Sequence, residues 1–323
     1  MNKTILLTNK YTERPLEIIR SNVPDGFSLL MLDSVTQESL DELIPEADYL
    51  LASGRLKVNE SNLAKAKKIK MIQRTGVGLD CLDLDEIKNR GIPLYVNQGV
   101  NSQSVLEHTL LLMMACLRKL TVIDSNTKAG TWRKQEQGTC THELRGKTIG
   151  IVGMGNIAQR LVKVLSVFGV NILYSDINRM PEEFESSYNM RLVGREELFR
   201  KSDIITLHCA LNEQTRGMIN KKTISEMKDG VIIINTARGP MINAVDLADA
   251  IRRGKIAFAG IDVHEVEPIP ENYPLKGMEN VILTPHVAGI TYESFNEMMR
   301  DAMRNIELFE KGELNLIAQY RYL

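Results

Sequence analysis

Ile149-Gly150-Ile151-Val152-Gly153-Met154-Gly155-Asn156-Ile157-Ala158-Gln159-Arg160-Leu161, running on to Tyr174-Ser175-Asp176, decides the fold. Ile149 to Val152 is a short apolar run of the kind that forms a strand buried on both faces. Two glycines follow, then Ile157, Leu161, Val164 and Leu165 at helical spacing, with Asn156 placed to cap that helix. A second apolar run, Asn171 to Tyr174, ends at Asp176. The pattern is G-x-G-x-x-A at the turn of a β-α-β unit. Gly153 permits the tight turn, Gly155 lets a pyrophosphate approach the backbone, and Ala158 lets the helix pack close to the strand. The orphan N–H groups of the helix start then face the phosphates. Asp176 stands where a carboxylate accepts from an adenosine ribose and repels a 2′-phosphate, which favours NAD over NADP. A bare glycine pattern is weak evidence. Strand, helix, second strand and terminal acid in register make it specific.

Further strand-like runs lie beyond this unit, at Ile204–Leu207, Val231–Ile234, Ala259–Val263 and Val281–Leu283, most of them separated by helical segments. Together they describe a doubly wound parallel sheet, in which ligands bind past the carboxyl ends of strands. His208-Cys209-Ala210 follows one run and Asn235-Thr236-Ala237-Arg238-Gly239 another. Asp262 sits in the next, with Glu265 and Glu267 close behind, and Thr284-Pro285-His286 ends the last. An arginine, an acid and a histidine suit hydride transfer to a 2-keto acid. The arginine pairs with the carboxylate, the histidine exchanges a proton with the carbonyl oxygen, and the acid raises the histidine pKa and fixes its tautomer. Singly, Arg238 reads equally well as a surface residue, Glu267 as a solvated acid and His286 as a satisfied interior histidine. Their recurrence at successive strand ends favours chemistry. His108, His142, His208 and His264 lack that context and read as structural or solvated.

Residues 1–98 alternate strand and helix without a dinucleotide fingerprint. Strands are expected at Thr4–Thr8, Ser28–Leu32, Ala47–Ala52, Ile69–Gln73 and Leu94–Val96. This second open sheet would supply the other wall of a cleft. After one of its strands, Arg74-Thr75-Gly76-Val77-Gly78-Leu79-Asp80 exposes backbone N–H groups that suit a carboxylate, although an ordinary strand-to-helix turn explains the same residues. Ser104 and Glu107 make a capping-box pattern ahead of Leu110–Leu117, a helix so apolar that it must be buried, in an intradomain core or a subunit interface. Trp132 stands in a polar stretch, lining the cleft or simply packing.

The chain has 323 residues and a formal net charge of −1, so it offers no electrostatic footprint for nucleic acid or an anionic membrane. The opening residues Met1 to Leu7 go straight into a strand and do not read as a signal peptide. No stretch approaches a membrane span. Cys81, Cys116, Cys140 and Cys209 are scattered without metal-type spacing, as reduced thiols in a cytoplasmic protein would be.

The chain resembles the D-isomer-specific 2-hydroxyacid dehydrogenase family, which includes D-glycerate, D-lactate and 3-phosphoglycerate dehydrogenases. The blocks carrying the likeness are Arg74–Asp80, Val96-Asn97 through Ser104–His108, Leu144–Gly155, Asn235–Gly239, Asp262–Pro268 and Leu283–His286. The resemblance implies a flavodoxin-like substrate domain (1–98, completed by 291–323) and a Rossmann NAD domain (99–290), with a cleft between them. It implies catalytic Arg238, Glu267 and His286, and a substrate carboxylate on the Val77 and Gly78 backbone. NAD contacts would come from Gly153, Met154, Gly155, Asn156, Ile157, Asp176, Cys209, Ala210, Thr236, Ala237, Asp262, Ala288 and Gly289. Members are usually dimers through the nucleotide domain. The chain departs from many members at Cys209, Ala210 and Cys81. Where similar phosphoglycerate dehydrogenases place an arginine to meet the phosphate this chain has Ser53, with Arg55 displaced along the loop. The chain also stops at Leu323 without an appended domain. Both features count against a serine-pathway enzyme. The competing class is an NAD-sensing corepressor; the long disordered tail of such proteins is missing from the sequence.

Overall fold

The computed structural model describes residues 2–54 and 56–323. Arg55 therefore lies outside the described residues. The chain divides into two compact units: unit 1 runs to Asn101 and is joined by Thr291–Leu323, and unit 2 is Ser102–Ile290.

In unit 1, strands β1 (Lys3–Leu7), β2 (Phe27–Met31), β3 (Tyr49–Ala52), β4 (Met71–Arg74) and β5 (Leu94–Val96) form a parallel sheet in the order β2-β1-β3-β4-β5. This is the flavodoxin-like order. Ile5, Leu6, Leu7, Tyr49, Leu50 and Leu51 are fully buried, as central strands covered on both faces require. One cover is the helix Tyr292–Glu310, whose start is fixed by a reciprocal Thr291–Ser294 capping box. It sets Met298, Met299, Ala302, Met303 and Ile306 into the core. Buried amides register it against the sheet: Asn305 Nδ2 donates to Gln73 Oε1 at 3.2 Å, Gln73 Nε2 to Asn97 Oδ1 at 3.0 Å, and Asn97 Nδ2 to the Met298 carbonyl at 2.8 Å. Each buried amide thus finds the partner that burial demands.

Unit 2 carries β6 (Thr148–Val152), β7 (Asn171–Ser175), β8 (Met190–Leu192), β9 (Ile204–Leu207), β10 (Val231–Asn235), β11 (Ile256–Ile261) and β12 (Val281–Leu283), in the order β12-β11-β10-β9-β6-β7-β8. All pairs are parallel. β6 lies between β7 and β9, so the direction of winding reverses at the fingerprint strand, which is where such sheets open a crevice. The helix Ser102–Leu117 packs Leu106, Leu112, Met113, Cys116 and Leu117 into the core of the same unit. Gly260 permits this: a Cβ there would lie 3.0 Å from Leu112 Cβ. An intradomain core accounts for most of that helix, while Leu111 is 56% exposed. Among the described residues no helix is long and apolar enough to cross a membrane.

Local expectations fail in four places. β8 is absent from the sequence reading, because three residues with an exposed arginine in the middle carry no strand period. Asn156 is not the cap: the cap position is Gly155, and Asn156 is the first helical residue, its Oδ1 accepting from Arg160 Nε at 2.9 Å. Ser104 and Glu107 form no capping box, since the helix starts at Ser102 and Glu107 accepts from Gln103 Nε2 at 2.8 Å. Trp132 is 82% exposed between two short helices, Leu120–Lys128 and Lys134–Thr139, so it does not pack into the core.

Candidate active site

The fingerprint turn is a close fit to its neighbour strand. Gly153 has φ +92°, and a Cβ on it would lie 2.6 Å from the Cys209 amide nitrogen, so the ends of β6 and β9 meet through a residue that must be glycine. Gly155 is different: a Cβ there would meet nothing within 4 Å. The space beside it is open and leads to the start of the helix Asn156–Leu165. Among the described residues the N–H groups of Gly155, Asn156 and Ile157 have no hydrogen-bond partner, as a helix N-terminus leaves them. Donors, open space and helix dipole fit a pyrophosphate. Asp176 closes this corner, its Oδ2 accepting from the Met154 N–H at 2.6 Å and its Oδ1 from the Asn178 N–H at 2.9 Å. Cys209 is half-buried and Ala210 exposed beside this turn.

Past β10, Asn235 shapes the turn. Its Oδ1 accepts from the Ala237 N–H at 3.0 Å, and its Nδ2 donates to the Arg238 carbonyl at 3.0 Å. The Thr236 hydroxyl meets that of Thr109 at 2.9 Å. Arg238 is half-buried and donates from Nη1 to the Ala237 carbonyl at 2.7 Å. Gly239 presses on the loop after β11, since a Cβ there would stand 2.0 Å from the His264 carbonyl carbon. That loop holds Glu267, whose Oε1 accepts from the His264 N–H at 2.8 Å. Across from it, His286 Nδ1 lies 2.9 Å from Glu267 Oε2 and 3.2 Å from Oε1. The His286 side chain is 40% exposed and that of Glu267 12%. With Nδ1 bonded to the carboxylate, Nε2 is the ring nitrogen left to a ligand.

The His286 backbone is itself constrained, with φ +59°, a region a non-glycine residue enters only when its surroundings hold it there. Asp262 does the holding. It is fully buried; its carbonyl accepts from the His286 N–H at 2.7 Å, Oδ1 accepts from Val287 N–H at 2.9 Å and Thr284 Oγ1 at 2.5 Å, and Oδ2 from Ala288 N–H at 2.9 Å. His108 Nε2 lies 3.1 Å from Thr284 Oγ1 and 3.6 Å from Asp262 Oδ1. Of the three acids near this strand end, Glu267 touches the histidine, Asp262 fixes its loop, and Glu265 is exposed. His108 and Thr284 belong to this scaffold. The sequence signal for them was thin: a polar residue inside an apolar helix must find a partner, but nothing in the spacing says which. His264 packs edge-on to Tyr273 and bonds the Thr284 carbonyl at 3.0 Å, and burial pushes the His208 pKa down to about 4.

In unit 1 the loop after β4 is organised by Arg74. Its Nε donates to the Gly78 carbonyl at 2.7 Å, Nη1 to the Ala52 carbonyl at 2.9 Å and Nη2 to the Gly54 carbonyl at 3.3 Å. The Gly78 carbonyl is taken up by Arg74, and the N–H groups of Val77 and Gly78 have no partner among the described residues. Val77 is 55% exposed. Ser53 is buried, its Oγ accepting from the Tyr11 hydroxyl at 2.8 Å.

A fingerprint turn on a Rossmann sheet, with a histidine–carboxylate pair and an arginine at neighbouring strand ends, defines a dinucleotide-dependent oxidoreductase. Residues 110–288 match the NAD-binding domain of the D-isomer-specific 2-hydroxyacid dehydrogenases. The chain is 37% identical over 281 residues to a hydroxypyruvate reductase of Thermotoga maritima, covering 86% of this chain and 88% of that one. It is 34% identical over 291 residues to a D-3-phosphoglycerate dehydrogenase of Archaeoglobus fulgidus, covering 90% of this chain but only 54% of the relative. Among solved structures, D-lactate dehydrogenase from Aquifex aeolicus, complexed with NAD and lactic acid, superposes with a TM-score of 0.86 at 28% identity over 99% of this chain and 98% of that one. The chain belongs to the D-isomer-specific 2-hydroxyacid dehydrogenase family, and it is an NAD-dependent oxidoreductase.

Proposed function

We propose that the protein reduces a small, unphosphorylated 2-keto acid to the D-2-hydroxy acid, and that Arg238, Glu267 and His286 are its catalytic residues. The observation that carries this reading is the His286–Glu267 pair at 2.9 Å, whose histidine keeps Nε2 for a ligand. NAD in its reduced form supplies the hydride. His286, protonated, donates from Nε2 to the carbonyl oxygen as negative charge develops there. Glu267 holds the Nδ1 proton and so fixes the tautomer for the reverse direction. Arg238 binds the acid's carboxylate through its guanidinium fork. The N–H groups of Val77 and Gly78 offer the carboxylate further donors. Gly153 to Ile157, Cys209-Ala210, Thr236-Ala237 and Ala288-Gly289 line the cofactor, and Asp176 receives its adenosine ribose. Asp262 acts there chiefly through the backbone it holds.

Ser53, standing where similar phosphoglycerate dehydrogenases place an arginine to meet the phosphate, supports an unphosphorylated substrate. So does the likeness to the hydroxypyruvate reductase over nearly its full length. The test is NADH oxidation with hydroxypyruvate, glyoxylate, pyruvate, phosphohydroxypyruvate and branched 2-keto acids. An unphosphorylated acid should give the highest kcat/KM; preference for phosphohydroxypyruvate would reassign the substrate, and no turnover with tight NADH binding would favour a sensor. We also propose a homodimer through the NAD domain, supported by exposed Leu111 and Leu120 on consecutive helices and exposed Trp132 in the loop that follows them. Light scattering should give twice the chain mass. Four free thiols support a reducing, cytoplasmic setting.

A further inference from the structure

The loop after β7 carries an arginine as well as the acid. Asp176, Ile177, Asn178 and Arg179 follow Ser175 directly, and Asp176 Oδ1 folds this loop by accepting from the Asn178 N–H at 2.9 Å. An arginine at the rim of this turn is what dinucleotide sites use to receive a 2′-phosphate. Here the guanidinium is occupied. Arg179 Nη2 donates to Glu185 Oε2 at 2.8 Å, and its Nε lies 3.2 and 3.3 Å from Oε1 and Oε2. Glu185 comes from the short helix Glu182–Ser187 and its side chain is only 9% exposed, against 66% for Arg179.

Glu185 is fixed from below. The buried Tyr174 hydroxyl donates to its Oε1 at 2.6 Å, and that hydroxyl oxygen accepts the Met180 N–H at 2.8 Å. The Arg179 guanidinium and the Tyr174 hydroxyl together hold the Glu185 carboxyl below its ordinary pKa. A carboxylate so enclosed is costly to leave unpaired, so it retains the arginine.

We propose that Glu185 is a specificity-determining residue for the cofactor, withholding Arg179 from a 2′-phosphate and so reinforcing the choice of NAD that Asp176 makes by repulsion. This rests on the reading that the adenosine ribose lies at Asp176. Two elements then act on one choice. Asp176 repels the phosphate, and Glu185 removes the cation that would otherwise attract it.

The experiment measures equilibrium binding of NADPH and NADH, and of ADP-ribose with and without its 2′-phosphate, to a nested set of variants. Asp176→Ala should raise NADPH affinity relative to NADH. Adding Glu185→Gln should raise it roughly a further tenfold, the worth of one new charge-assisted contact. Adding Arg179→Ala to that pair should cancel the second gain and leave the first. Glu185→Asp, which keeps the charge but draws it back by one methylene, should give an intermediate gain and serves if the glutamine variant folds poorly. No second gain in either Glu185 variant, or a gain that survives Arg179→Ala, would overturn the proposal while leaving the ribose placement intact. An unchanged NADPH to NADH ratio in Asp176→Ala would overturn that placement and the proposal with it.

Discussion

At the strand ends of unit 2, carboxylates set groups in place: Glu267 the His286 ring, Asp262 the backbone around it, and Glu185 the Arg179 guanidinium. At the strand ends of unit 1 the arrangement is inverted. One guanidinium, Arg74, grips the carbonyls of Ala52, Gly54 and Gly78, and the nearby Val77 and Gly78 N–H groups have no partner among the described residues. The first arrangement includes a ring that can exchange a proton, the His286 imidazole, and the second presents N–H donors that cannot. Under the proposed function, the contrast separates proton transfer from binding. It extends to composition, for all five histidines lie in unit 2.

The sharpest way to break the contrast is to remove one holder from each side. Glu267→Gln keeps the shape but loses the carboxylate that orients His286. Reduction kcat should fall roughly 10²-fold, within the range acid–base catalysis contributes, with KM for the keto acid and NADH affinity little changed. A fall in KM-controlled binding alone would show that Glu267 serves binding. Arg74→Lys should do the opposite. A lysine has no fork to span three carbonyls, so KM for the keto acid should rise roughly 5–10-fold with kcat largely retained. A loss of kcat with normal KM would erase the distinction between the units.

A smaller effect concerns pH. Burial lowers the His208 pKa from 6.5 to about 4, so the folded chain binds fewer protons than the unfolded chain between those values. Stability therefore rises with pH across that window and is lost as pH falls through it, by roughly 3 kcal/mol in all. Hydrogen exchange should show unit 2 amides losing protection from pH 6.5 down to about 4 before those of unit 1, and His208→Asn should flatten the loss. Equal loss in both units, or an unchanged profile in the variant, would count against it.

Much of this was legible in the sequence, for definite reasons. The Gly153–Asp176 unit was readable because each of its residues answers one local geometric demand, and the structure meets those demands at Gly153, Gly155 and Ala158. Arg238, Glu267 and His286 were readable as residue types at strand ends. Their mutual geometry was not, since it depends on Gly239 packing against His264 and on Asp262 tying down the turn, contacts between loops far apart in sequence. Arg74 illustrates the same limit. Its motif suggested exposed N–H groups, but the guanidinium that aims them grips a different strand's end, and no spacing rule reports that. Helix starts failed at Asn156 and Ser104 because a capping residue type is also acceptable one or two positions inside a helix. β8 was too short to show a period.

The central claim is that His286, held by Glu267, moves the proton while other residues bind cofactor and acid. Single-turnover oxidation of prebound NADH by the best keto acid, in the unmodified protein and in His286→Gln, tests it most directly. The variant should bind NADH as the unmodified protein does, and its single-turnover rate should fall roughly 10²–10⁴-fold. A variant that binds NADH normally and oxidises it at the unmodified rate would contradict the account.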